Sequence, residues 1–260
     1  MLRLGLTTRP LFSSLFSLTF STPKHLPPRL LSIKSSSSRT MSAQTIEHIV
    51  LFKVKPETDP TKVNAMVDNL NGLISLDNVL HLTAGPLHRI RSPLSNFTHM
   101  LHSRYSSKED LSAYSANPIH VSVVKESVVP ICEDVMSVDW VVDEDTPLAP
   151  PPPGSAIRVT FLKLKEKVGD EAKKEILGVI KGIKDSFEGI SEISVGENFS
   201  PGRAKGFSIA SLAVFPGLPE MEAVDAKEEL VNSHKEKLKD YLDGVIVVDY
   251  VLPSPPSSSL

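Results

Sequence analysis

Histidine is the residue type in this chain that can carry a proton to and from a substrate near neutral pH, and tyrosine is its natural companion for holding an oxygen. Among eight histidines and four tyrosines, four residues stand out. His48 and His99 lie in runs rich in β-branched and aromatic residues. Tyr114 and His120 are six residues apart in a segment of helical character. A neutral imidazole, with an ordinary pKa of about 6.5, can take a proton α to a ketone, and a phenol can polarise the carbonyl that becomes an enolate. His48 and His99 fall on strands expected to be neighbours and so are expected to face one cavity, with Tyr114 and His120 turned toward its mouth. The competing reading is structural: half-buried histidines are commonly hydrogen-bonded residues without chemistry, and His120 could simply orient a helix start. His81, His88 and His102 read as surface or strand residues with no role. No His-x-x-x-His spacing marks a metal-binding helix. Cys132 has no nucleophile motif around it and reads as a small buried hydrophobe. Gly202-Arg203-Ala204-Lys205-Gly206 reads as a solvated hairpin, since no helix start follows to cradle a phosphate.

The elements that must position these residues come in two successive sets of the same order. Residues 46–55 are dense in β-branched side chains and predict a strand. Asp59 caps a helix with Pro60 at its first position. Val63, Met66, Val67, Leu70, Leu73 and Ile74, at three- and four-residue spacing, make that helix apolar on one face. Strands are expected over 79–88 and 97–105. Ser107 with Asp110 starts a second helical region through about Ile131, loosened by Pro118, and residues 135–142 close the set. The second set predicts a strand over 156–165, a helix over 170–187, strands over 190–199 and 207–215, a helix over 220–242 and a closing strand over 245–251. Val138-Asp139-Trp140-Val141 and Val248-Asp249-Tyr250-Val251 end the two sets alike. The order β-α-β-β-α-β, met twice, is an α+β, ferredoxin-like domain in tandem. Its repeat of roughly 105 residues is too long for a solenoid.

Burial adds a requirement. The first strand puts His48, Val50, Phe52 and Val54 on one face and Ile49 and Leu51 on the other. A sheet with helices on one side only should be polar on the bare side. Here that side is apolar, so it must meet another sheet, as in a closed α/β barrel. The second sheet could come from the same chain or from a partner chain in a homodimer, and the sequence leaves both open.

The remaining residues set limits and addresses. The formal charge of −3 carries no basic surplus for nucleic acid. No apolar run approaches the ~20 residues of a membrane span. One cysteine excludes an internal disulfide. Residues 1–42 contain no acidic residue and many Ser, Thr, Leu and basic residues, the composition of a plastid or mitochondrial presequence or of a disordered tail. Met41 could serve as a later start. Domains are expected over 43–144 and 155–252, joined by a Pro-rich linker over 145–154 that includes Pro150 to Pro153. The Pro/Ser tail over 253–260 ends in Ser258-Ser259-Leu260, which resembles a peroxisomal tripeptide read by an import receptor.

His48-Ile49-Val50-Leu51-Phe52, Phe97-Thr98-His99, Asn117-Pro118-Ile119-His120 and Val138-Asp139-Trp140 together resemble the plant stress-responsive dimeric α/β-barrel family. Its third element usually reads His-Pro-x-His, and here Asn117 stands in place of the first histidine. The resemblance covers residues 46–143 well and 156–252 by pattern only. It implies a stress-induced protein built as a stable barrel assembly or as a small-ligand binder. One plant member, olivetolic acid cyclase, closes a linear polyketide into an aromatic acid. By that likeness Tyr114 and His120 would be catalytic, with His48 and His99 beside the pocket, in a cofactor-free cyclase. Related barrels also imply two further expectations, a haem or other small molecule in the cavity and a magnesium ion held by backbone carbonyls. Within the chain, His234 matches His120 by pattern, while Glu228, Arg158 and Ile209 stand at the places of Tyr114, His48 and His99. Chemistry is therefore expected in the first repeat, with the second as its packing partner.

Overall fold

The helix starts form where local chemistry demands them. Asp59 accepts a hydrogen bond from the Thr61 amide (2.8 Å), with Pro60 supplying a first turn that needs no amide donor. Ser107 caps the next helix by accepting from Asp110 N (3.0 Å). Asn117, held extended before Pro118, ends that helix and caps another through Ile119 N (2.9 Å). The computed structural model describes residues 44–93, 95–143 and 148–254. The presequence, the terminal tripeptide and the start of the linker lie outside the described residues.

The first repeat runs β1 (Ile46–Val54), α1 (Pro60–Gly72), β2 (His81–Pro86), the two-residue β3 (Arg89–Ile90), β4 (His99–Tyr105), α2 (Lys108–Ala116), α3 (Pro118–Val123) and β5 (Cys132–Val141). The second runs β6 (Ala156–Leu164), α4 (Asp170–Lys181), α5 (Ile183–Ser186), β7 (Glu192–Glu197), β8 (Ile209–Phe215), α6 (Leu218–Asp225), α7 (Glu228–Leu238) and β9 (Leu242–Val251). Two antiparallel sheets result, ordered β2-β4-β1-β5 and β3-β9-β6-β8-β7. Strand β3 belongs to the first repeat in sequence but pairs with β9 of the second. Both ferredoxin-like units are thus present, in tandem and in mixed α/β form.

Alternation along the strands sorts side chains into two layers. Ile49, Leu51, Met100, Met136, Val138 and Trp140 face inward and meet Ile157, Val159, Phe161, Leu212, Val248 and Tyr250 of the other sheet in one buried cluster. Ile46, Phe52, Leu101 and Tyr105 face outward onto α1 and α2, with Met66, Leu70, Leu111 and Tyr114. The apolar bare face therefore finds its second sheet within the same chain.

The two seams of the barrel are alike. At one, Phe199 N donates to Asp139 O (3.0 Å), and at the other His88 N donates to Asp249 O (2.9 Å). A glycine allows the closest approach at each. A Cβ on Gly196 would lie 2.8 Å from the Trp140 side chain and 2.9 Å from Val141 O, and one on Gly85 would lie 3.1 Å from the Tyr250 hydroxyl. The linker is not a free spacer along its described part: Pro151 is buried and Ala149 O accepts from Arg104 (2.6 Å).

The repeats superpose in sequence with a constant displacement over most elements. Ile46 answers to Ala156, Tyr105 to Phe215, Asn117 to Lys227 and Val141 to Val251, each 110 residues on. This corrects the internal match made from pattern. His120 answers to Leu230 and Tyr114 to Val224, whereas His234 and Glu228 are displaced along α7. The pattern match failed because it followed residue type rather than the helix break at Asn117 and Lys227.

Candidate functional site

The outward layer of the first sheet carries the chemistry. Register places Ser103 of β4 and Asp139 of β5 on either side of His48 of β1. His48 Nδ1 meets Asp139 Oδ1 at 2.5 Å. The Tyr105 ring lies 6.2 Å from His48 and 5.2 Å from Tyr114, whose ring is 6.5 Å from His48. Tyr114 and His120 rings pack at 4.5 Å between centroids. This contact follows from the local sequence. Tyr114 sits in the last turns of α2 facing the sheet, and the break at Asn117-Pro118 turns α3 so that His120 folds back over it. Its Nδ1 donates to Ser115 O at 3.1 Å, leaving Nε2 as an acceptor.

Protonation states follow from the surroundings. Burial pushes the Tyr105 and Tyr114 phenols well above the usual tyrosine range, so both remain donors. Tyr114 is 2% exposed. Burial likewise pushes His120 down; the Ser115 carbonyl opposes this, and the charges of His48 and Arg203 add to it. Burial alone would raise the Asp139 carboxyl, but the charge and hydrogen bond of His48, with a hydrogen bond from Ser200, hold it below the ordinary range. A neutral imidazole with a free Nε2 thus lies beside a protonated phenol, backed by a histidine held by a carboxylate. That set can donate a hydrogen bond to a ligand oxygen and accept a proton near it.

His99 does not join them. It stands opposite Phe52, four positions along β4 from Ser103, or about 13 Å at the ordinary rise of a strand. Its Nδ1 is engaged by Thr98 Oγ1 at 2.8 Å. His48 and His99 share a face of the sheet, as neighbouring strands allowed, but stand at opposite ends of it. Sequence reasoning missed Tyr105 and Asp139. Asp139 had left a trace as the aspartate repeated in both closing strands, but its pairing with His48 needs the β1–β5 register.

A second polar cluster lies inside the barrel. Glu47, wholly buried, accepts from His102 Nε2 (2.6 Å), Arg104 Nε (3.1 Å) and Ser194 Oγ (3.1 Å). Arg104 also pairs with Glu192, and the His81 ring packs against His102 at a tilt, 4.9 Å between centroids. His81 and His102 are therefore interior residues, not surface ones. Burial alone would raise Glu47, yet the charges and hydrogen bonds of His102 and Arg104 hold it at about 2. Burial pushes His102 down despite Glu47, whereas Arg104 keeps its charge, so Arg104 supplies the part of the Glu47 stabilisation that persists when His102 is neutral. The equivalent positions of the second repeat are Ile157, Leu212 and Val214, all apolar.

In the second repeat the outward site is closed by ion pairs. Arg158, at the place of His48, donates to Asp249 Oδ1 (2.7 Å) and Asp225 Oδ1 (2.7 Å). Arg89 and Arg91, reaching across from the first repeat, add Nε contacts to Asp249 at 3.0 and 2.9 Å. With Phe215, Val224 and Leu230 at the places of Tyr105, Tyr114 and His120, only the aspartate of the site recurs, as Asp249. Among the described residues no group of three His, Cys, Asp or Glu side chains could hold a metal ion. The resemblance's magnesium would have backbone carbonyls alone. No helix among the described residues is long and apolar enough to cross a membrane. Two surface grooves, of about 270 and 310 Å³, are lined by residues around Phe199 and Lys181 and around Met66 and Pro130, not by Tyr114 or His120.

Comparison with known proteins agrees with this architecture. The profile of the stress responsive A/B barrel domain matches residues 46–142 and again 157–252. A stress-response A/B barrel domain-containing protein of Arabidopsis thaliana is 58% identical over 258 residues, 96% of this chain and 97% of that protein. A second Arabidopsis thaliana protein of the same description is 52% identical over 211 residues, 80% of this chain and 97% of its own length. Among solved structures, a putative monooxygenase from Fusobacterium nucleatum superposes with a TM-score of 0.59 at 19% identity, covering 82% of this chain and 94% of that one. At that identity the likeness is one of fold. With the domain matched twice and a relative 58% identical over 96% of its length, the chain belongs to the stress responsive A/B barrel domain family.

Proposed function

We propose that this protein acts in the stress response as a barrel that binds a small, planar, oxygen-bearing ligand in its first repeat, against Tyr114 and His120. The observation that carries this reading is the 4.5 Å contact between a protonated phenol and an imidazole with a free Nε2, backed by the His48–Asp139 pair and absent from the second repeat. Half-buried His120 is the accessible edge of the cluster. The break between α2 and α3 is the place where a ligand enters, since separating those helices moves His120 off Tyr114. Phenol, as a minimal probe, is expected to bind. Tyr114→Phe and His120→Gln should each weaken it up to about tenfold, the loss of one hydrogen bond. Titration calorimetry showing wild-type affinity retained in both variants would refute the site.

A second reading, a cofactor-free enzyme resembling the polyketide cyclase, is favoured by the same free Nε2. In it His120 takes the proton α to a carbonyl while Tyr114 donates to the oxygen as charge develops there. The expected result is faster loss of deuterium from α-deuterated acetone with the wild type than with His120→Gln. Equal rates, with both proteins folded, remove catalysis and leave binding.

A further inference from the structure

The turn carrying Arg203 belongs to the second repeat but is fixed to the first. Asn198 Oδ1 accepts from Asp139 N (3.1 Å) and Ser200 N (3.0 Å), and Phe199 N donates to Asp139 O (3.0 Å). At its other end Lys205 holds Asp134 (2.8 Å), and Ala204 is wholly buried in the core between the sheets. The short turn Pro201–Arg203 is therefore pinned at both ends along β5, the strand that supplies Asp139. Arg203 itself is exposed, and among the described residues it has no carboxylate partner. The neighbouring cations are engaged: Lys205 by Asp134, and Lys108 on the Phe199 ring at 4.3 Å. At the opposite seam the corresponding strap behaves differently, for Arg89 and Arg91 are both turned onto Asp225 and Asp249. Positive charge from the opposite repeat is neutralised at one site and left open at the other.

We propose that Arg203 is the anion-recognition residue of the first repeat's site, so that the ligand held at Tyr114 and His120 carries a carboxylate. This rests on the ligand site proposed above. A guanidinium presents its donors in a planar fork that fits a carboxylate in two parallel hydrogen bonds. One unpaired cation matches a monoanion, whereas a dianionic phosphate would leave a charge uncompensated. The pinned backbone lowers the ordering cost of using the side chain. The turn that carries it runs beside Asp139, the partner of His48, and its charge depresses the basicity of His120. The second repeat thereby supplies a residue to the first repeat's site and is more than a packing partner.

The test compares phenol with 3- and 4-hydroxybenzoate by titration calorimetry on the full chain. One hydroxybenzoate is expected to bind wild type about tenfold more tightly than phenol, the modest gain of a solvent-exposed charged hydrogen bond. In Arg203→Gln that preference should disappear, and in Arg203→Lys it should persist in part. The His120 ring titration, followed by NMR, should move upward in Arg203→Gln, because a cation has been removed. A hydroxybenzoate preference that survives in Arg203→Gln, or no preference in wild type while phenol binds, overturns the role of Arg203 alone. Failure of phenol and both hydroxybenzoates to bind overturns the site and this inference together.

Discussion

Replacing Glu47 with glutamine probes the charge buried between the two sheets. Its carboxylate is wholly enclosed and bonded to His102, Arg104 and Ser194. Holding it at about 2 instead of the ordinary 4.5 corresponds to roughly 3 kcal/mol of stability at neutral pH, at ~1.4 kcal/mol per tenfold change in proton affinity. Removing one partner of a buried pair costs a similar ~3–5 kcal/mol, because Arg104 and its desolvated charge remain. Glu47→Gln should therefore lose about 3 kcal/mol in urea unfolding and melt roughly 6–12 °C lower. Trp140, the only tryptophan and wholly buried in the same core, is a built-in fluorescence reporter. The pH dependence has a definite sign. The folded-state pKa is depressed, so the contribution is complete above about 4.5 and is lost as pH falls toward about 2. The gap between wild type and Glu47→Gln should close over that window. Exchanging the set for the second repeat's apolar residues, Glu47→Ile, His102→Leu and Arg104→Val with Glu192→Gln, should recover most of the loss, since no buried charge is then stranded. A single variant losing under about 1 kcal/mol, or a gap unchanged between pH 4.5 and about 2, would refute the electrostatic account.

Two further outcomes follow from packing. Gly196→Ala places a methyl 2.8 Å from Trp140 and 2.9 Å from Val141 O, so it should destabilise by about 1–3 kcal/mol and alter Trp140 emission, whereas Gly178→Ala, in open space on α4, should not. Burial pushes the Cys132 thiol up to about 11, so labelling by a disulfide reagent at about pH 8 should be slow in the native state and rise to the rate of a free thiol in urea. Fast native labelling would contradict the packing around Met66.

Local signals are legible where local chemistry decides. Asp59 with Pro60, and Ser107 with Asp110, are helix starts within a few residues of chain, and the order of elements follows from periodicity and punctuation. The faces of β1 were legible for the same reason: alternation made the sheet two-sided, and two apolar faces required a second sheet. The candidate site was only partly legible. Tyr114 and His120 meet because the intervening break is itself local. Asp139 is 91 residues from His48, and nothing in either neighbourhood announces the other. The position of His99 is not legible in the sequence, because strand alternation gives the face but not the distance along it. His102 looked like a surface or strand residue, and Glu47 drew no attention, because a polar side chain on a strand usually faces water. Here both point inward, where Arg104 and the second repeat compensate them.

The amino-acid sequence by itself determined the duplicated β-α-β-β-α-β order, the helix caps and the need for two sheets to meet, since each depends on contacts within a turn or on the alternation of one strand. Tertiary structure alone decided that the sheets meet within the chain, that His48 is held by Asp139, and that a turn of the second repeat brings Arg203 to the first. Those outcomes depend on strand register and on which edges close the barrel, and both are set by the packing of residues far apart in the chain.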